Sequence, residues 1–174
     1  MSFLCITKTL TKKELFMHKA INQNYPINYP MTEHQILEKA SEIIASKFID
    51  GDEFTSAKAT KDYLAFKLAH HEREVFAVMF LNSQHQLIEY EEMFLGTIDS
   101  ASIYPREVMK EVLKLNASAV ILAHNHPSGF AEPSEADKCI TRKLIQSLAL
   151  IDVRVLDHIV VGKESVSFAE RGLI

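Results

Sequence analysis

The sequence predicts an α/β fold in which a mixed β-sheet is covered by helices on both sides. Two unbroken apolar runs, residues 75–81 and 119–123, and the largely apolar segment 153–161 are typical of buried strands. A turn-forming segment and a return strand, 86–94, follow the first run, which indicates an antiparallel hairpin. Amphipathic helical segments separate the later strands. A hairpin followed by alternating helices and strands predicts a mixed sheet.

The N-terminal part of the chain is predicted to lie outside this sheet. Residues 1–30 read as an arm or linker, because the prolines of the segment 24–30 bias their predecessors away from helix. A partner-binding role for the tyrosines of this arm is the alternative. Residues 31–52 are predicted to form a small helical segment, opened by a capping box of Thr32 and Gln35.

Residues 53–174 are predicted to form the main domain. A helix runs from Ser56 to about Leu68, and a second helix starts at Pro105, whose fixed φ suits the first helical position. The second helix has an apolar inner face of Val108, Met109, Val112 and Leu115. Its outer face pairs glutamates with lysines three residues on, as exposed helices do. A short strand within residues 165–168 is the last element.

Composition and charge limit the class of protein. With 174 residues, 47% hydrophobic and 24% charged, the chain is long enough for one well-buried core. A net charge of −4 argues against a module that binds nucleic acid through a general basic field. Two cysteines without a pairing pattern, no apolar stretch of about 20 residues and no signal-peptide core predict a cytoplasmic protein that does not enter the membrane.

The second apolar run ends in polar side chains with the spacing of metal ligands. His124 and His126 lie two residues apart, so both imidazoles are predicted to leave the same face of the strand. Pro127 ends the strand, and Ser134 opens a helix with Asp137 in its first turn. Two histidines and one carboxylate leave a fourth position open, as a catalytic zinc site requires.

The same residues also have simpler interpretations. Ser134 and Asp137 match the Ser-x-x-Asp pattern of a helix N-cap, and a single histidine at a strand end is usually an ordinary polar residue. The complete pattern, His-x-His, seven residues and Ser-x-x-Asp, is expected by chance in roughly one chain of this length per thousand. Capping and metal binding are compatible within one turn.

These residues resemble the signature of JAMM (MPN+/JAB) metalloproteases, and the sequence around them resembles the bacterial RadC-like group. The resemblance covers about residues 53–174 and includes five separated motifs in order: Gly96-Thr97-Ile98, Pro105-Arg106-Glu107, Leu115-Asn116-Ala117, His124-Asn125-His126-Pro127-Ser128-Gly129 and Asp157-His158-Ile159. It implies a cytidine-deaminase-like three-layer fold, with Zn²⁺ held by His124, His126 and Asp137. Longer members carry an N-terminal helix-hairpin-helix region, for which residues 1–52 are expected to be too short.

The resemblance also implies a reaction, hydrolysis of an amide bond in a peptide or isopeptide substrate by a zinc-activated water. The family's catalytic glutamate lies at the start of the first hairpin strand, which here is Glu74. Glu72 is the rival, because a shift of two residues keeps the same strand face. Glu74 would accept the proton of the water, and Ser134 would donate to the developing oxyanion.

Other polar residues near the motif have open roles. Asp157 and His158 interrupt an apolar strand, so they are either a hydrogen-bonded core pair or supports that orient a metal-binding imidazole. Asn125 is expected to point away from the metal face and to brace the loop. Tyr104 stands where the RadC-like pattern usually has a histidine, a departure that leaves the zinc ligands intact.

Two other classes of function compete with hydrolysis. The historical annotation of RadC-like proteins suggests a DNA repair or recombination accessory protein without hydrolytic activity. A metal-free interaction scaffold is disfavoured, because the chain retains all the ligands that inactive MPN relatives lack. Two other zinc hydrolase patterns are excluded: His71-Glu72 does not open a His-Glu-x-x-His helix, and the His-x-Glu and Cys-x-x-Cys of deaminases are absent.

Overall fold

The computed structural model describes residues 32, 35–36, 39–40, 57–96 and 102–174. Apart from residue 32, these belong to one compact unit, Glu33–Ile174. The elements in chain order are α1 (Ala57–Leu68), β1 (Val75–Leu81), β2 (Leu87–Leu95), α2 (Pro105–Leu115), β3 (Ala119–Asn125), α3 (Glu135–Ala149), β4 (Arg154–Val161) and β5 (Val166–Ser167).

The five strands form one mixed sheet in the order β2-β1-β3-β4-β5. The hairpin of β1 and β2 is antiparallel, β1 also pairs antiparallel with β3, and β3 pairs parallel with β4 across the α3 crossover. The central strands β1 and β3 are buried along their whole length, as their uninterrupted apolar sequences predict. The mixed sheet predicted from the sequence is therefore confirmed.

Helices cover both faces of the sheet. On one face, α1 packs on Val75, Ala77 and the other strand side chains of that face through Tyr63, Leu64 and Leu68. On the other face, α2 and α3 pack their inner residues on Phe76, Phe80 and Leu122. Alternate residues of each strand supply the two cores, because successive side chains of a strand point to opposite faces. This three-layer α/β arrangement is the fold expected from the sequence.

The N-terminal predictions lie almost wholly outside the described residues, including the boundaries near residues 30 and 52. Gln35, Ile36, Lys39 and Ala40 are helical, which agrees with a helix opened at Thr32. The division into 1–30, 31–52 and 53–174 stays a prediction. None of the helices in the described part of the chain has the length and apolar content that a bilayer crossing requires.

Candidate metal centre

The candidate site lies at the end of the sheet where β3 stops. His124 is the next-to-last residue of β3 and is 1% exposed, whereas His126 follows the strand and is partly exposed. The antiparallel register pairs Phe76 of β1 with His124, and the two rings stack with centroids 6.4 Å apart. Strand pairing and burial therefore fix the position of His124, whereas the loop after β3 sets the positions of His126 and Asp137.

Backbone hydrogen bonds hold that loop against the end of β4. The His126 amide donates to the Val161 carbonyl over 2.8 Å, and the Lys163 amide donates to the Gly129 carbonyl over 2.9 Å. Gly129 adopts a φ of +78°, which suits glycine in this turn. At Gly162 an added Cβ would lie 2.6 Å from the Gly129 carbonyl oxygen, so only glycine lets the two segments approach this closely.

We expect Gly162→Ala to displace the loop after β3 and to weaken metal binding by about tenfold or more. The placement of the predicted ligands depends on the close approach of Gly162 to Gly129. Zinc affinity, measured by competition with a chromophoric chelator, checks this. Gly172→Ala is the matched control, since it is strained at φ +65° but has no heavy atom within 4 Å of the added Cβ. Equal zinc affinity in both variants would contradict the role of Gly162.

The loop ends in a capping box that also aims the carboxylate. Ser134 is the N-cap of α3: its hydroxyl accepts from the Asp137 amide over 3.1 Å, and Asp137 Oδ2 accepts from the Ser134 amide over 2.7 Å. Ser134 Oγ also donates to Asp137 Oδ2 over 2.7 Å. The capping interpretation of this turn therefore holds, and it is compatible with metal binding, because Asp137 caps with Oδ2 and directs Oδ1 toward His124.

The three predicted ligands come together. His124 Nε2 lies 3.0 Å from His126 Nε2 and 3.4 Å from Asp137 Oδ1, and His126 Nε2 lies 3.8 Å from Asp137 Oδ2. Among the described residues, these two histidines and one aspartate are the side chains whose donor atoms lie close enough together to hold a metal ion. Zinc bonds of about 2.0–2.1 Å place tetrahedral ligands roughly 3.3 Å apart. The donor set and its spacing therefore fit a small divalent cation.

The charge state of the site suits a cation. Two hydrogen bonds from Ser134, one from its amide and one from its hydroxyl, favour the ionised form of the Asp137 carboxyl. Asp137 is therefore ionised at neutral pH. His126 Nδ1 lies 2.8 Å from the Phe130 carbonyl, which can only accept, so its Nδ1 carries the proton and Nε2 presents a lone pair to the site.

Glu74 lies directly before β1, on the site's edge of the sheet. The Gly96 amide donates to its carbonyl over 2.8 Å, so the pairing with β2 continues to Glu74. Phe76 pairs with His124 at the end of the β1–β3 register, so Glu74 lies two residues beyond that pair, toward the end of the sheet where β3 stops. Glu72, in contrast, lies in an exposed bend, where the strand alternation that would give it the same face no longer applies.

Asn125 braces the segment that carries Glu74. Its side chain points away from the imidazoles, as the alternation of the strand predicts, and is almost fully buried. Asn125 Oδ1 accepts from the Val75 amide over 2.8 Å, and its Nδ2 donates to the carbonyls of Arg73 and His71 over 3.1 and 3.3 Å. One amide side chain thus ties the end of β3 to the chain on both sides of Glu74.

We expect Asn125→Ala to lower the free energy of unfolding by about 2 kcal/mol or more, because it leaves the buried Val75 amide and the Arg73 carbonyl without their partner. Urea unfolding followed by circular dichroism measures this. Asn82→Ala is the control, since its side-chain hydrogen bonds lie in the β1–β2 turn at the opposite end of the sheet. A loss below about 0.5 kcal/mol would show that water replaces the Asn125 contacts.

Asp157 and His158, for which the sequence left a structural and a supporting role open, differ in role. Asp157 accepts from the Ser167 hydroxyl and from the amides of His158 and Ala169, so it stabilises the C-terminal turn. His158 instead places Nε2 2.9 Å from His124 Nδ1 and supports a predicted ligand. The sequence patterns did not point to Thr141 or Gly162, because a threonine on a helix and a glycine after a strand are common without such roles.

Tyr104 is the N-cap residue of α2 and makes no side-chain capping hydrogen bond. Its ring is 60% exposed and contacts Phe94 with centroids 6.1 Å apart. Phe94 pairs with Phe76, which in turn pairs with His124, so this end of α2 lies toward the same edge of the sheet as the histidines. A phenol at this position therefore presents a hydroxyl and an aromatic surface where the related pattern has an imidazole.

Comparison with known families agrees with this geometry. The sequence model described as the RadC-like JAB domain matches residues 54–173, which contain every described strand and all three predicted metal ligands. The chain belongs to the RadC-like JAB domain family. The RadC-like resemblance drawn from the separated motifs is thus confirmed.

Curated relatives cover most of the chain. A UPF0758 protein of Vibrio cholerae is 56% identical over 148 residues, which are 85% of this chain and 94% of that protein. A UPF0758 protein of Leptothrix cholodnii is 58% identical over 80% of this chain but only 63% of its own length. A UPF0758 protein of Vibrio campbellii is 49% identical over 94% of this chain and 72% of its own length. The relatives that match this chain therefore differ in length.

Proposed function

We propose that this chain is a zinc-dependent metallopeptidase of the JAMM type, which hydrolyses an amide bond in a peptide or isopeptide substrate. The observation that carries the proposal is the convergence of two imidazole nitrogens and one ionised carboxylate at the spacing of a tetrahedral site. Three nitrogen and oxygen ligands with a fourth position open are typical of catalytic rather than structural zinc. The RadC-like JAB membership supports the same class of chemistry.

His124, His126 and Asp137 would hold the ion. When bound, zinc supplies Lewis-acid chemistry: it lowers the pKa of water to roughly 7 and polarises a carbonyl group. His124 is buried and His126 partly exposed, so a substrate would approach the three side chains from the side of His126. The ring of Phe130, next to this loop, is 73% exposed and offers an apolar surface beside the site.

Glu74 would act as the general base and acid. Its carboxylate would accept a proton from the attacking water as the C–O bond forms to the carbonyl carbon, and the amide C–N bond would then break as the same proton passes to the leaving amine. The support for Glu74 over Glu72 is that its backbone is held by Gly96 and flanked by contacts to Asn125, whereas Glu72 is exposed in a bend. A fixed base keeps its position for both proton transfers.

Ser134 would stabilise the negative charge that develops on the carbonyl oxygen. It is exposed at the start of α3, within hydrogen-bond distance of Asp137. Its single proton is directed at Asp137 Oδ2, so donation to a substrate requires the hydroxyl to rotate. The hydrogen bonds from the Ser134 amide to Asp137 Oδ2 and from the Asp137 amide to Ser134 Oγ keep the side chain in place during that rotation.

Metal analysis of the purified, tag-free protein beside His124→Ala and Asp137→Ala tests the proposal. We expect one zinc per chain in the wild type and loss of zinc in both variants. The zinc-loaded protein is then assayed against a panel of peptides and lysine-linked isopeptides, with chelator treatment and zinc addition as paired controls. Hydrolysis that is lost with the chelator and restored by zinc is the expected result.

An empty wild type after incubation with zinc would overturn the metallopeptidase proposal. A DNA repair accessory role without hydrolysis would then be the next hypothesis. The net charge of −4 does not favour it, and it requires DNA binding that weakens steeply with salt. Filter binding at two salt concentrations separates the two functions with the same protein preparation.

A further inference from the structure

A line of buried side-chain hydrogen bonds runs from the candidate site into the core. His124 Nδ1 lies 2.9 Å from His158 Nε2, and His158 Nδ1 lies 2.6 Å from Thr141 Oγ1. Thr141 Oγ1 in turn donates to the backbone carbonyl of Asp137 over 2.6 Å. Thr141 and His158 are 1% and 0% exposed. The line thus begins and ends on two of the predicted ligands, and neither intermediate residue is itself a ligand.

The Asp137 carbonyl at the end of this line determines which atom donates and which accepts in each of its hydrogen bonds. A carbonyl oxygen can only accept, and a threonine hydroxyl has one proton, so a hydroxyl that donates to Asp137 must accept from His158 Nδ1. A neutral imidazole carries one N–H. His158 Nε2 therefore accepts from His124 Nδ1, and His124 Nε2 is left with a lone pair directed at the metal position.

The opposite direction would disable the site. If the Thr141 hydroxyl donated to His158 Nδ1, protons would lie on Nε2 of both His158 and His124, and a protonated Nε2 cannot bind a metal. The bond to the Asp137 carbonyl excludes this direction, because it uses the single proton of the Thr141 hydroxyl. The Nε2 lone pairs of His124 and His126 then face each other over 3.0 Å, an arrangement that a cation stabilises.

We infer that Thr141 and His158 are positioning residues that hold His124 in the tautomer with a free Nε2 before any metal binds. Metal-binding histidines usually donate to a carboxylate or a backbone carbonyl, whereas here a second imidazole and a hydroxyl carry the bond to the carbonyl. Thr141 lies one turn beyond Asp137 on α3, so the helix that supplies the carboxylate also sets the proton of His124. The inference rests on the proposed metal site.

The test is ¹⁵N NMR of histidine side chains in metal-free protein, combined with zinc affinity measured by chelator competition. We expect the Nδ1–H tautomer for His124 and His158 in the wild type. Thr141→Val keeps the side-chain shape but removes the hydroxyl, and should shift His158 and His124 to mixed tautomers and weaken zinc binding about 10–100-fold. Thr141→Ser restores the hydroxyl and should recover both readouts, which a purely steric role would not predict.

An Nε2–H tautomer of His124 in the metal-free wild type would overturn the inference, as would unchanged tautomers and zinc affinity in Thr141→Val. Failure of the proposed function can be distinguished from failure of this inference. A protein that binds zinc but does not hydrolyse amide bonds would still show the expected tautomers and the expected zinc affinities of the wild type and the Thr141 variants. Thermal unfolding of each variant identifies loss of fold. His158→Gln is the second variant if Thr141→Val does not fold, with the tautomer of His124 as its readout.

Discussion

Replacement of Asp137 by asparagine is expected to abolish zinc binding in the range that the wild type occupies. The neutral amide keeps an oxygen that can accept from the Ser134 amide, so the helix cap survives, but the site loses its only anionic ligand. The decrease in affinity should exceed the roughly 10–100-fold effect typical of residues that only support ligands. Chelator competition measures it directly.

Thermal unfolding with and without zinc gives an independent measurement. A ligand present at about 100 times its dissociation constant stabilises the folded state by about 2.7 kcal/mol, so wild-type protein should unfold at a higher temperature with zinc, and Asp137→Asn should not. Without zinc the two proteins should unfold at similar temperatures. A zinc-dependent stabilisation of equal size in both would contradict the assignment of Asp137 as a ligand.

Ser134→Ala is the matched control for this pair of roles. It removes the hydroxyl that accepts from the Asp137 amide, which costs about 1 kcal/mol of stability, but leaves the carboxylate in place. The two variants should therefore have opposite effects on stability and zinc binding. Ser134→Ala should lose stability and retain zinc, whereas Asp137→Asn should retain stability and lose zinc. Two variants that lose both properties would indicate that the cap and the metal site cannot be separated.

Glu74→Gln is expected to keep zinc and lose about 10²–10⁴-fold in the rate of hydrolysis, because glutamine cannot accept the proton of the attacking water. The comparison uses the zinc-loaded variant and the best substrate from the peptide and isopeptide panel. Single-turnover rates, measured with enzyme in excess, separate the chemical step from substrate binding. Zinc content is measured on the same samples.

Glu72→Gln is the matched control, since it makes the same chemical change two residues earlier in an exposed bend. Its rate should remain within about threefold of the wild type, as is usual for a surface substitution of this size. If Glu72→Gln lost hydrolysis and Glu74→Gln did not, the assignment of the base would be reversed. Wild-type rates in both would exclude a glutamate of this segment as the base.

Much of the fold could be predicted from local patterns in the sequence. The apolar run at 75–81, the hairpin to β2 and the helix opened by Pro105 all form as expected, because each depends on side-chain periodicity and on proline and turn chemistry within a few residues. His124 likewise required only the end of an apolar strand and Asp137 only the first turn of a helix, whereas β3 ends at Asn125 and the loop positions His126.

The roles of Asp157 and His158 could not be predicted in this way. Between β3 and β4 the register shifts by one residue: Val120 pairs with Val155, but Ile121 pairs with Asp157. A shift of one residue exchanges the faces of all side chains beyond it. His158 therefore turns toward His124, while Asp157 bonds the C-terminal turn. Neither residue type nor periodicity in the sequence encodes such a shift.

The sequence by itself determined the order of the elements and the chemical types of the predicted ligands, because these follow from composition and from periodicity over a few residues. Only the tertiary structure decided how the predicted ligands are supported. Asn125 reaches Val75 across 50 residues and His124 reaches His158 across 34, and Gly162 must approach Gly129 without a side chain. Such contacts arise from strand pairing and packing between distant segments, which residue spacing along the chain does not record.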